Sequence, residues 1–139
     1  MRKLIIIFTT LFFICCNVNA KGSEWNNLIK AISAVESKHN PNAVSKNGKF
    51  VGILQISKQL VDDCNRIIGE KKYTYKCRYD KEKSVEMFNI IQDYYNPKKD
   101  MVFAIRMWKG GPNWRKNTIP TKDYYQRVMK EYRKIGKGS

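Results

Sequence analysis

Histidine and acidic residues are scarce in this chain. His39 is the only histidine among 139 residues, and the two cysteines beyond residue 20 lie far apart. A structural or catalytic metal centre built from His and Cys is therefore not expected, nor is any other cofactor. Asp and Glu number 12 against 27 Lys and Arg, a net charge of +15. Internal repeats, low-complexity tracts and Pro/Gly/Ser-rich linkers are absent after residue 20, which excludes solenoids and multidomain strings. The length suits one domain with a modest core. Nucleic-acid signatures are missing too: the lysines are scattered among Asn, Tyr and apolar residues, with no basic recognition helix, zinc-finger spacing or aromatic RNA-binding motif.

Arg2 and Lys3 precede an apolar run over residues 4–14, and Val18-Asn19-Ala20 ends in a small residue. This pattern reads as a secretory leader over residues 1–20, with residues 21–139 as the exported domain, periplasmic or extracellular. An uncleaved anchor is the rival reading, although the run is short for a span of about 20 residues. A lipid-anchored form starting at Cys15 or Cys16 is a further alternative, disfavoured by the bulky residues before them.

Setting aside the two charges of Arg2 and Lys3 leaves +13. For an exported chain, an anionic cell envelope is the economical partner for that surplus; a merely solubilising surface is the bland alternative. Cys64 and Cys77 are the two cysteines beyond residue 20, with twelve residues between them. In an oxidising compartment they are expected to pair and tie down residues 69–83; two free thiols are the alternative.

Over residues 23–37, Trp25, Leu28, Ile29, Ile32 and Val35 recur at three- and four-residue steps, the stripe of an amphipathic helix. Glu36 lies four residues after Ile32 and seven after Ile29, on the same face. Burial disfavours an ionised carboxyl, which is how a Glu holds a proton near neutrality and acts as a general acid. The competing reading is a helix-end glutamate that reaches water.

Asn40-Pro41-Asn42 should stop this helix. Asn47-Gly48 is a strong turn dipeptide before the β-prone run Phe50-Val51-Gly52-Ile53-Leu54, which predicts a small hairpin or an irregular lobe. Gly52 in that run suits either close approach of backbone to a ligand or a bulge. Further helices are expected over residues 57–68 capped by Ser57, from Ser84 to about Tyr95, over residues 101–108 capped by Asp100, and after a Thr121 cap. The expected class is α+β, predominantly α-helical, with a cleft beside the β region.

Three ordered blocks carry a resemblance. Ala34-Val35-Glu36-Ser37 with Asn40-Pro41-Asn42-Ala43-Val44-Ser45, then Gly52-Ile53-Leu54-Gln55-Ile56, then residues 104–112 with residues 121–128, resemble the lysozyme-like superfamily in its soluble lytic transglycosylase (goose-type) branch. The resemblance implies a lysozyme-like fold with a small β-hairpin lobe, and a monomer acting on peptidoglycan glycan strands. It implies Glu36 as the catalytic acid, then base, in forming a 1,6-anhydromuramoyl end. It also marks Ser45, Gln55, Trp108, Lys109 and Tyr124 as substrate-side residues, Tyr124 having core packing as its rival role. Trp108 stands where that family usually has Tyr, and Lys109 where it typically has an Asn that contacts substrate. A muramidase hydrolysing the same bond, or a cell-wall-binding module with reduced activity, are the alternatives. Asp62, Asp63, Glu70, Asp80 and Asp93 are not at positions the resemblance marks as a second catalytic carboxylate, and each reads as a surface charge, cap or ion-pair partner.

Overall fold

The apolar stripe of residues 25–35 is the spine of the domain. In the computed structural model, which describes the backbone of residues 2–116 and 120–138 and the side chains from residue 20 onward within them, helix α1 spans Arg2–Ser37. Leu28, Ala31 and Ile32 are wholly buried on it, with Trp25 and Val35 packed at the margin. Each large aliphatic side chain removed from water contributes roughly 1.5–3 kcal/mol before entropy is charged against it. The side chains of residues 1–19, nearly the whole of the expected leader, lie outside the described residues. Among the described residues, no helix is long and apolar enough to cross a membrane.

Four more helices follow: α2 (Lys58–Ile68), α3 (Lys81–Tyr95), α4 (Met101–Gly110) and α5 (Lys122–Lys137), with a 3-10 turn at Tyr75–Tyr79. Helix α1 packs on α5, α2 on α3, and α4 on α5. Phe88, Leu54, Ile56, Met87, Ile105 and Val128 fill the space between them, all fully buried. Local chemistry sets the ends. Ser57 accepts the amide of Leu60, and Asp100 that of Phe103, as N-caps do. Asp80, not Ser84, starts α3, accepting the amide of Lys83 at 2.8 Å. Thr121 occupies the cap position of α5 without a side-chain capping bond.

Of the expected β-hairpin lobe, only isolated pairing is seen. Among the described residues there are two isolated antiparallel bridges, Val44 with Val51 and Val51 with Ile56, so the fold is predominantly helical. Gly52 shows why pairing stops. Its φ is +83°, and an ideal Cβ there would sit 1.9 Å from the carbonyl oxygen of Arg78. The close backbone approach that glycine permits is thus to Arg78 within the domain, and it turns the chain out of extended geometry immediately after Val51.

The expected Cys64–Cys77 bridge is also not made; both are free thiols. Cys64 lies on the buried face of α2 with its Sγ 3.5 Å from the Met87 carbonyl oxygen, while the Cys77 sulfur accepts the Thr74 amide in the 3-10 turn. The segment is fixed by Arg78 instead. That side chain is 6% exposed, and its guanidinium donates to the carbonyls of Tyr75 (2.9 Å), Ile56 (3.2 Å) and Lys49 (3.4 Å). One cation thereby ties the 3-10 turn to the bridged region.

Candidate active site

Glu36 is delivered by the last turn of α1. That helix stops because Lys38 and His39 both turn left-handed, at φ 54° and 64°, so that the Lys38 amide returns to the Ala34 carbonyl and the His39 amide to that of Ser33. This satisfies carbonyls that would otherwise be orphaned. Ser37 then anchors the helix end to the bridged region, its hydroxyl donating to the Ile53 carbonyl at 2.9 Å. The carboxylate-bearing turn and the segment that includes Gln55 are thereby held together.

A cleft of about 200 Å³ opens there, lined by Glu36, Phe50, Gln55, Ser57, Leu60, Trp108 and Lys109. Gln55 has a left-handed backbone, φ 51°, a conformation that costs a non-glycine residue on the order of 1 kcal/mol or more. Its amide nitrogen donates to the Gly52 carbonyl at 2.9 Å and to that of Ala43 at 3.3 Å. Both partners are acceptors, so the nitrogen must face them. The carbonyl oxygen is left as the end that can accept from a ligand.

Trp108 forms a wall. Its indole N–H donates to the Leu54 carbonyl at 3.1 Å, and its ring lies 4.8 Å from that of Phe88 between centroids. Helix α4, which carries Trp108 and Lys109, is oriented at its start by a buried polar cluster: Asn96 accepts the Asp100 amide and donates to Gln92, which donates to the Ala104 carbonyl. On the far side of Trp108, a second recess of about 220 Å³ shares Ser57 and Leu60 with the first and adds Asp63, Ile91, Tyr95 and Pro112.

Tyr124 reaches Glu36 from α5. It is 3% exposed, and its hydroxyl donates to Glu36 Oε1 at 2.6 Å. Burial raises the Glu36 carboxyl above its ordinary range, and this outweighs the opposing pull of the Tyr124 hydrogen bond and of the Lys109 and Arg127 charges. Burial, then the adjacent carboxylate, push the Tyr124 phenol well above its usual range, so it stays a donor. The cluster is thus a carboxyl inclined to keep its proton, oriented by a phenol that does not lose its own.

The residues singled out from the sequence part company here. Glu36, Gln55, Trp108 and Lys109 share one cleft, with Tyr124 behind Glu36. Tyr124 is both core residue and hydrogen-bond donor, so its two suggested roles coexist. Ser45 is not among the lining residues; its hydroxyl donates to Asn47 Oδ1 at 2.7 Å and accepts the Phe50 amide at 3.0 Å, bracing the Asn47-Gly48 turn. His39 is exposed, with Nδ1 3.0 Å from the Ser33 hydroxyl, and lies outside the cleft lining. Sequence reasoning missed Phe50, Ser57 and Leu60 as lining residues. It also missed Arg127, whose guanidinium lies 5.7 Å from the Tyr124 ring centroid; its position three residues beyond Tyr124 was the available signal.

Among the described residues, none of the other carboxylates lines the Glu36 cleft. Asp62 accepts from Tyr75, Asp63 pairs with Arg66 at 3.3 Å, Asp80 caps α3, and Asp93 pairs with Lys99. Among the described residues, no cluster of three or more His, Cys, Asp or Glu is arranged to hold a metal ion. A larger, open depression of about 820 Å³, walled by Asp62, Arg66, Glu70 and Tyr73 among others, does not include Glu36.

A comparison with protein families identifies the domain. The model of the transglycosylase SLT domain matches residues 16–126, from α1 into the first turns of α5. No curated protein and no solved structure matches the chain. The match covers most of the sequence and takes in the blocks around Glu36, Gln55, Trp108 and Tyr124, so the chain belongs to the SLT-domain transglycosylases, a lysozyme-like family that acts on peptidoglycan.

Proposed function

We propose that this chain is an exported lytic transglycosylase that cleaves the β-1,4 bond between N-acetylmuramic acid and N-acetylglucosamine and leaves a 1,6-anhydromuramoyl end. The observation that carries this reading is that, among the described residues, Glu36 is the one carboxyl lining its cleft, half-buried and hydrogen-bonded to Tyr124. Hydrolysis of a glycoside usually engages two carboxyl groups, one as acid and one as nucleophile or as base for water. A single carboxyl suffices when the substrate supplies its own nucleophile.

Protonated Glu36 donates to the departing glycosidic oxygen as the muramoyl C1–O bond breaks and the ring gains oxocarbenium character. The resulting carboxylate then takes the proton of the muramoyl C6 hydroxyl as that oxygen bonds to C1. Glu36 ends protonated again, and no water is consumed. Tyr124 fits the role of holding one carboxyl oxygen in place throughout, leaving the other to carry the proton. The Gln55 carbonyl is suited to accept from an N-acetyl N–H or a sugar hydroxyl, and Trp108 to bound the cleft with an apolar face. The leader pattern and the net positive charge support export to an anionic envelope.

Mass spectrometry of fragments released from purified peptidoglycan by wild type and Glu36→Gln tests the reading. The expected result is anhydro-terminated fragments, one water lighter than reducing ends, from wild type and none from the variant. Reducing ends from wild type would reassign the protein as a muramidase. Undiminished release by Glu36→Gln would overturn the role of Glu36.

A further inference from the structure

Two cations act on Glu36 without being held in an ion pair among the described residues. Lys109 lines the cleft and its Nζ lies 5.8 Å from the Tyr124 ring centroid, with the Arg127 guanidinium 5.7 Å from that centroid. Both are exposed, and neither makes an ion pair with another described residue. In a chain so rich in lysine and arginine, an unpaired cation is ordinary and most are simply solvated. These two differ in place: their charges act on the half-buried carboxyl at the bottom of the candidate active site.

The charge balance there changes with the proposed chemistry. While Glu36 carries its proton, Lys109 in the cleft lining and Arg127 beside Tyr124 lose the negative charge nearest the site. A concave, partly apolar surface focuses such a field toward an incoming anion. Lys supplies three N–H donors and Arg a planar fork that matches a carboxylate. Of the two sugars in the substrate, only the muramoyl unit bears a carboxyl group, on its lactyl ether. That group is free in peptide-stripped strands; in peptide-bearing strands it is consumed in an amide, and the carboxylates sit farther along the stem peptide.

Building on the transglycosylase reading, we propose that Lys109 and Arg127 form a carboxylate-binding subsite that recognises the anionic substituent of the muramoyl residue bound next to Glu36. Such a subsite sets the register of the strand. A glucosaminyl unit in that place offers the cations nothing, so the bond cut is the one whose glycone is muramoyl. It also gives Lys109, which departs from the family's usual residue, a positive role in place of a defect.

The test uses peptide-stripped glycan strands with free lactyl carboxylates and the same strands after methyl esterification, cut by wild type, Lys109→Met and Arg127→Gln. Esterification is expected to raise the wild-type KM about fivefold, the upper end for an exposed ion pair, with little change in kcat. Lys109→Met should start from the raised KM and be nearly blind to esterification, and Arg127→Gln should fall between the two. Equal responses of wild type and Lys109→Met to blocking the carboxylates, or no response of either on these strands and on the peptide-bearing strands below, would overturn the subsite.

Peptide-bearing strands with free or amidated peptide carboxylates are run in parallel. A Lys109-dependent response confined to them also supports the subsite and assigns the carboxylate to the stem peptide. Should wild type cut none of these strands, the transglycosylase reading fails by itself. Direct binding of the free and blocked strands to wild type and Lys109→Met then decides the subsite: a Lys109-dependent preference for the free acid supports it, and equal binding overturns it.

Discussion

Replacing Tyr124 by Phe removes a single hydroxyl and isolates what that group does for Glu36. The bond it makes is short, 2.6 Å, and lies behind a phenol that is 3% exposed. A hydrogen bond to a charged acceptor is worth about 1.5–3 kcal/mol. It favours the ionised carboxyl, because the phenol donates more strongly to a carboxylate than to a carboxylic acid. Burial already raises the Glu36 carboxyl, and the Tyr124 bond is the largest opposing cause. Ionising Glu36 in Tyr124→Phe therefore costs about 1.5–3 kcal/mol more than in wild type, and the proton is held to higher pH. A general acid works only while protonated, so the alkaline limb of kcat/KM should move upward in the variant. The assay is release of soluble fragments from peptidoglycan across the pH range, since kcat/KM reports the free enzyme. Over the same range, chemical denaturation should show Tyr124→Phe losing stability relative to wild type as pH rises and Glu36 ionises. An alkaline limb that stays in place or moves down would refute the reasoning.

Glu36→Gln should become more stable relative to wild type as pH rises. The folded-state carboxyl is raised above its unfolded value, so its contribution to stability is fully present below the ordinary Glu range and lost as pH climbs through the folded value; urea titrations at acid and neutral pH measure the difference. Gly52→Ala should destabilise the fold by at least about 2 kcal/mol in the same titration, because the new methyl meets the Arg78 carbonyl oxygen and φ is +83°. Cys64 should resist iodoacetamide in the native protein while Cys77 reacts, as burial pushes the Cys64 thiol up to about 12; peptide mapping after alkylation distinguishes them, and equal labelling would refute it.

Much of the helical layout was legible in the sequence, since the signals were local. The three- and four-residue steps of Trp25 to Val35, Ser57 before α2 and Asp100 before α4 each act within one or two turns, and the structure shows those helices starting or packing accordingly. The misses depend on distant contacts. Phe50 to Leu54 has the composition of a strand, yet Gly52 is held left-handed by a carbonyl 26 positions away in sequence. Pairing of Cys64 with Cys77 rested on compartment chemistry alone, and spacing cannot report that one sulfur turns toward Met87 and the other toward Thr74. At the site, helical spacing put Glu36 on the apolar face, but its contact with Tyr124 joins residues 88 apart, which no local pattern encodes.

Arg78 gives the domain a crosslink that is indifferent to its redox surroundings. A staple made of one guanidinium and three carbonyl oxygens is neither opened by thiols nor formed wrongly in an oxidising compartment. It holds in the same way wherever the chain folds, so a reductant should leave the melting temperature unchanged. Its vulnerability is steric: lysine, with one point of positive charge, cannot span the three carbonyls that the planar fork reaches. Robustness to reduction is therefore obtained through dependence on one residue type at one position.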